Sequence, residues 1–380
     1  MELSGKPAEN HPTTTWQPKP PSGFRSALAT TLCRLVSICW LLGATGCDPE
    51  SVSRLSEEGE GKVTAVGVLG DSDSHGYRDT MLLGPGGRGA GEYPPPLQWT
   101  EIWDHLRGHQ ISLGPRGRWG TSRRVARVMG WMGLSTRAPC KLDHRNNLAF
   151  SGARCRSLNH GHDEQVGALL DIMRRRPSAW HGGIVVIRIG VNDFGQPVHL
   201  DRLLQPDEAD GILRSIHSCV REIETAVHRI RRVGPEVTVV LIGVFNNVHW
   251  PQALERWRDA EELLVIEESL DRFDDGLRRI AAENPGVLFH DDRAWFRALW
   301  GGRDGQGNPD YTSVSIGSIQ VSNTAGDAPE NVVLGDGHFG TLANGVWLNS
   351  LIQLILRETS IPLTPLGSVE LEGLVDPIKN

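Results

Sequence analysis

The chain has 380 residues, 39% of them hydrophobic and 22% charged, with a formal net charge of -7. That content can bury one sizeable core, and an acidic balance in which arginine supplies most of the 39 basic residues leaves no electrostatic footprint for nucleic acid. One α/β domain is expected, with no internal repeat.

Arg25 and Arg34 precede a short apolar run, Leu35 to Ala44, which has the length of a signal-peptide core and is too short to span a bilayer comfortably. Ala44-Thr45-Gly46-Cys47 resembles a bacterial lipobox, with Ala44 where leucine is usual. Residues 1–47 are therefore expected to be a signal peptide with a lipobox, so that the protein is exported, either as a cell-envelope lipoprotein modified at Cys47 or as a periplasmic or extracellular protein. A polar linker over 48–61, rich in glutamate, leads into a domain over 62–360 and a tail over 361–380. Export would leave Cys140, Cys155 and Cys219. The proximity of the first two in sequence makes a Cys140–Cys155 disulfide conceivable, and Cys219 reads as a core thiol in a helical pattern.

Val63 to Leu69 is an apolar, β-branched run that ends in Gly70-Asp71-Ser72-Asp73-Ser74-His75, the pattern of a buried parallel strand delivering a loop at its carboxyl end. Leu83 to Pro96 is Gly- and Pro-rich and reads as an exposed loop near the site. Trp99, Ile102, Trp103 and Leu106 share one face of a helix that packs on the core. Residues 114–145 show many arginines and glycines and little periodicity, so an irregular insertion is expected. The second strand and its turn are placed at Asn147 to Gly152, the third strand at Gly183 to Gly190, the fourth at Glu236 to Gly243 and the fifth at Val287 to His290. Helices are predicted over 163–174, 206–232, 255–282 and 341–356, and a short strand over 313–321. Strands alternating with helices imply a three-layer α/β/α sandwich around a central parallel five-stranded sheet.

Four segments stand out in order: Gly70-Asp71-Ser72, Asn147 to Ala153, Ile189 to Phe194, and Gly335-Asp336-Gly337-His338. Together they resemble the four signature blocks of the SGNH (GDSL-type) hydrolase family, over roughly residues 62 to 358. The resemblance implies a flavodoxin-like fold and a carboxylic ester hydrolase or acyltransferase working through an acyl-enzyme, with no metal or cofactor. By it, Ser72 is the nucleophile and His338 the general base. The Ser72 and Gly152 N–H groups and the Asn192 amide form the oxyanion hole. In the family the orienting acid stands three residues before the histidine; here that position is Gly335, and Asp336 stands two before. Either Asp336 still reaches His338 Nδ1, or a backbone carbonyl or another acid orients the ring.

The expected substrate is a small-molecule or polysaccharide ester, for instance an O-acetylated carbohydrate, with membrane contact only through a lipid anchor. Two other readings compete. Gly70 to Asp73 could be an aspartate phosphotransferase loop, with Asp291 and Asp292 as magnesium ligands and Lys141 as the only available cationic clamp. A non-catalytic carbohydrate-binding surface lipoprotein could also keep this fold. His160 and His162 have metal-ligand spacing but no identifiable fourth partner, and no metal is assigned.

Overall fold

The computed structural model describes residues 63–376 except 90, 92, 135 and 246. The signal-peptide run, Cys47 and the polar linker lie outside the described residues. In chain order the elements are β1 (Thr64–Gly70), α1 (Trp99–Arg107), β2 (Ile111–Ser112), β3 (Arg116–Trp119), α2 (Arg123–Trp131), β4 (Lys141–His144), α3 (Gln165–Arg175) and β5 (Ile184–Arg188). There follow α4 (Pro197–Leu203), α5 (Pro206–Val233), β6 (Thr238–Ile242), α6 (Ala260–Glu283), β7 (Val287–His290) and α7 (Asp292–Trp300). The last elements are β8 (Ser313–Ile316), β9 (Ile319–Ala325), β10 (Asn331–Val333), α8 (Thr341–Glu358) and α9 (Ser368–Glu372).

The central sheet has the order β2-β1-β5-β6-β7 and every pairing in it is parallel. Val66 faces Ile184, Ile184 faces Thr238, and Val239 faces Val287. Strands covered on both faces need continuous apolar runs, because alternation would put a polar residue into one of the two helix layers; β5 and β6 are buried at every residue. Numbered within the sheet, the order is 2-1-3-4-5, so the direction of winding reverses between β1 and β5. Crevices at such a reversal, beyond the carboxyl ends of the strands, are where open α/β sheets bind ligands.

The sequence places the second strand differently. Ile111–Ser112 forms the edge strand, and Asn147 makes a single bridge to Val68. The two share one edge of β1. The two-residue strand β2 covers Thr64 and Ala65, and further along Val68 N–H donates to Asn146 O while Leu148 N–H donates to Val68 O. The Asn147 side chain then bonds its own chain, accepting from Ala149 N–H at 3.1 Å, which turns the segment out of the sheet.

Nor is 114–145 irregular. The strands β3 and β4 form an antiparallel hairpin pairing Arg116 with His144, and α2 rises between them, capped by Ser122. The region expected to hold one short strand folds as a three-stranded sheet, β10-β9-β8. Trp99, Ile102 and Trp103 are fully buried, as their spacing predicts. The tail packs through Leu363, Leu366, Leu371 and Leu374, and Arg107 donates to Thr364 O, Pro365 O and Glu370.

Cys155 is bonded to Cys219, with Cα atoms 5.1 Å apart, so the Cys140–Cys155 pairing is corrected. The reason is topological: Cys155 opens a short helical turn that packs on α5, which carries Cys219, while Cys140 sits at the foot of the hairpin. No helix among the described residues is long and apolar enough to cross a membrane.

Candidate active site

Ser72 leaves the sheet at the carboxyl end of β1 because the chain can turn there. A Cβ on Gly70 would stand 2.2 Å from Arg188 O across the sheet, so the strand must end in glycine. The Gln165 side chain clips the same residue from both sides, accepting from Gly70 N–H at 2.7 Å and donating to Gly70 O at 2.8 Å. Asp71 is buried beneath the turn and accepts from Asp73 N–H at 3.0 Å. Burial, reinforced by the neighbouring Asp73, pushes its carboxyl well above the usual range. Arg188, at the end of β5, donates to Asp73 O at 3.2 Å and to Asp292 at 3.2 Å, and lies 4.3 Å from the centre of the Trp347 ring. Burial raises Asp292 to about 6 even so.

The second and third loops are fastened to each other and to the first. Gly152 has φ +80, which a side chain would strain, and no atom lies within 4 Å of where its Cβ would be. Asn192 stands in a wide helical turn, Val191–Gly195, directly after β5. Its Nδ2 donates to Ala153 O at 2.9 Å and its Oδ1 accepts from Gln196 at 3.0 Å, which fixes the amide orientation and leaves one N–H over. Cys155 N–H donates to Asp193 at 2.9 Å. On the other side His75 Nδ1 accepts from Ser151 Oγ at 2.9 Å and from Ser151 N–H at 3.3 Å, and Nε2–H donates to Asp79 at 2.8 Å. Burial lowers the pKa of His75, consistent with this neutral tautomer.

His338 follows a tight turn in which Gly337 N–H donates to Leu334 O at 2.9 Å, with Gly337 at φ +88. That conformation folds Asp336 back under the ring, and Asp336 Oδ1 lies 3.0 Å from His338 Nδ1. The displaced acid thus reaches the imidazole. Although burial raises its carboxyl, the hydrogen bond to His338 and the nearby Arg88 outweigh that and hold it at about 2. Arg88, from the Gly- and Pro-rich loop, pairs with Asp336 Oδ2, and its Nη1 is 2.7 Å from His338 Nδ1. A guanidinium only donates, so Arg88 can bond Nδ1 only when that nitrogen carries no proton, whereas its pairing with Asp336 suits either state.

Ser72, Asn192, Asp336 and His338 line one cavity of about 500 Å³. Gly152 is not in its wall but is tied to it through the Asn192–Ala153 bond. Val198, Phe245, Trp250 and Trp257 supply apolar wall, and Gln196, Asn247, Gln252 and Arg256 the polar part. Asn247 Nδ2 donates to Gly195 O, and its buried Oδ1 has no donor among the described residues.

The model of the GDSL-like lipase/acylhydrolase family matches residues 68–313, well over half of the chain. The chain belongs to that family. The match ends before Asp336 and His338, whose place in the site rests on the geometry above. Among solved structures, the chain is similar to an extracellular lipase from Streptomyces rimosus at 16% identity and a TM-score of 0.39, covering 77% of this chain and 100% of that one. It is also similar to a family 3 carbohydrate esterase from Clostridium thermocellum (13% identity, TM-score 0.34, 83% and 100% covered). A third likeness is to an acetyl-xylooligosaccharide esterase from Geobacillus (12%, 0.35, 80% and 97%). No protein of curated function matches the sequence.

In this GDSL-family chain several other candidates have structural employment. Asp291 caps α7 by accepting from Ala294 N–H, Asp292 is paired with Arg188, and Lys141 is buried on Asp143 at 2.9 Å. None of the three is left to serve a phosphoryl group. His160 pairs with Glu222 at 3.2 Å. Among the described residues the ligating atoms of Cys155, Asp193 and Cys219 converge, but the two sulfurs are joined in the disulfide. Sequence reasoning missed Arg88, Arg188 and His75. Arg88 is a lone arginine in a glycine loop, and nothing in its neighbours distinguishes it.

Proposed function

We propose that the protein is a serine ester hydrolase acting on carboxylic esters, with O-acylated carbohydrate as the substrate class. The observation that carries this reading is the convergence of Ser72, Asn192 and the Asp336–His338 pair on one cavity at the reversal point of the sheet.

In the productive state the Nδ1 proton of His338 is held by Asp336, and Nε2 takes the Ser72 Oγ proton as the oxygen attacks the ester carbonyl. The tetrahedral oxyanion is met by the N–H groups of Ser72 and Gly152 and by the remaining Asn192 Nδ2–H. Collapse breaks the bond to the alcohol, which leaves with the proton from Nε2. Water then attacks the acyl-Ser72 ester by the same route and releases the acid. The small apolar wall suits a short acyl group, and the unpartnered Asn247 Oδ1 suits a hydroxyl-bearing substrate.

The test is treatment of the full chain with a fluorophosphonate, followed by intact mass and peptide mapping. An adduct on Ser72, absent in Ser72→Ala, together with loss of p-nitrophenyl acetate cleavage in that variant, is expected. Cleavage retained by a folded Ser72→Ala removes Ser72 as nucleophile, and a folded protein that takes no adduct favours the binding-protein reading. Export and Cys47 lipidation remain part of the proposal, tested by the mass of the mature protein from cells.

A further inference from the structure

The chain is acidic overall, yet between Asp104 and Asp143 there is no acidic residue, and seven arginines and one lysine occur. The helix α2 lies in the middle of this stretch. Its inner face is Val125, Ala126 and Met129, of which Ala126 is buried. Its outer stripe is Arg124, Arg127, Val128 and Trp131, at spacings of three, four and seven, with Met132 and Leu134 following the last turn. Trp131 is 89% exposed, and Val128, Met132 and Leu134 are about half exposed. Neither Arg124 nor Arg127 has an acidic partner among the described residues. Arg123, by contrast, is used inward, beside Asp163 and over the Phe150 ring at 5.0 Å. That contact anchors the helix two residues from Gly152.

We infer that the Arg124–Arg127–Val128–Trp131 face of α2, with Met132 and Leu134, docks on an anionic lipid surface. Aliphatic side chains beside an indole and unpaired guanidinium groups match the composition of the bilayer interface, where the indole sits at headgroup depth and arginines meet lipid phosphates. Stacking on a sugar polymer would use the indole but leave Val128, Met132 and Leu134 without a role. The local positive charge, set in a chain that is otherwise more acidic than its net charge implies, gives the complementarity. Docking there would bring a membrane surface beside the Phe150–Gly152 loop. This inference does not depend on which reaction the site performs.

The test is sedimentation of the full chain with phosphatidylglycerol and with phosphatidylcholine vesicles. Binding to the anionic vesicles only, weakened by salt, is expected, with a loss of about fivefold for each of Arg124→Gln and Arg127→Gln. Trp131→Ser with Met132→Ser should also weaken it, and brominated lipid should quench a fluorescence component that Trp131→Phe removes. Cleavage of a water-soluble ester should be unchanged in all of these variants. Because residues 35–44 are apolar and could bind vesicles themselves, the comparison between variants decides: retention that none of the substitutions alters overturns the inference. So does equal binding to both lipids, or a face that changes only self-association or binding to an acidic polysaccharide.

Discussion

Replacing Arg188 by methionine isolates what holds the Ser72 loop. The side chains of Arg188 and Asp292 are 6% and 1% exposed, and their ion pair is backed by Trp347 Nε1–H, which donates to the other Asp292 oxygen at 2.9 Å. Methionine fills most of the space but leaves Asp292 without its cation. A carboxyl so placed escapes by binding a proton, and the cost of doing so depends on pH. With Arg188 present Asp292 titrates near 6; without it the value rises further. Below about pH 6 the folded carboxyl is protonated in both proteins, so the variant loses only the hydrogen bond to Asp73 O and the contact with Trp347, about 1–2 kcal/mol. Above pH 6 the variant alone keeps its proton when folded and releases it on unfolding. Its deficit then grows by about 1.4 kcal/mol per pH unit, to roughly 3–5 kcal/mol at pH 8, the range found for broken buried pairs. Urea unfolding at pH 5.5 and pH 8, followed by tryptophan fluorescence, measures this. Arg188→Met with Asp292→Asn should recover the pH-dependent part. A deficit that is equal at both pH values, or a double variant no better than the single, refutes the reasoning.

Gly70→Ala should cost about 3 kcal/mol in urea unfolding, the upper end for overpacking, because the added carbon meets a backbone oxygen fixed by the sheet and not a movable side chain. Asp336→Asn should lower kcat/KM for p-nitrophenyl acetate by about 10²- to 10⁴-fold while leaving the fluorescence spectrum intact. Asp336 has a folded value of about 2, below that of an unfolded aspartate, so it stabilises the fold above about pH 4 and ceases to do so as pH falls through 2. Acid titrations of wild type and Asp336→Asn should therefore differ above pH 4 and converge near pH 2.

The parts of the fold written as long regular patterns were legible. The strands β1, β5 and β6 are built on apolar runs, α5 is long and periodic, α8 is a long apolar stretch, and each lies where the sequence pattern predicts. The strand β2 was not, since two residues carry no periodicity and its pairing is decided by the edge of β1. The hairpin around α2 was hidden because β3 alternates arginine with glycine and tryptophan, because β4 carries Lys141, Asp143 and His144 in four residues, and because α2 turns large apolar residues outward. Ser72, Asn192, Asp336 and His338 could be named in sequence, but the approach of Asp336 to the ring depends on the backbone at Gly337, which a residue count does not convey. Cys219 stands 64 residues beyond Cys155, and only the packing of α5 brings them together.

That disulfide has a consequence for the order in which the protein can mature. The loop carrying Gly152 leaves the ribosome well before Cys219, so its covalent tether must wait for α5 to be made and then for an oxidant. Until then the loop meets the Val191–Gly195 turn through two hydrogen bonds, Asn192 to Ala153 and Cys155 to Asp193. Where thiols are kept reduced, the chain would assemble its sheet and still lack the brace behind the Gly152 loop. Completing the brace therefore takes an oxidant as well as a finished chain.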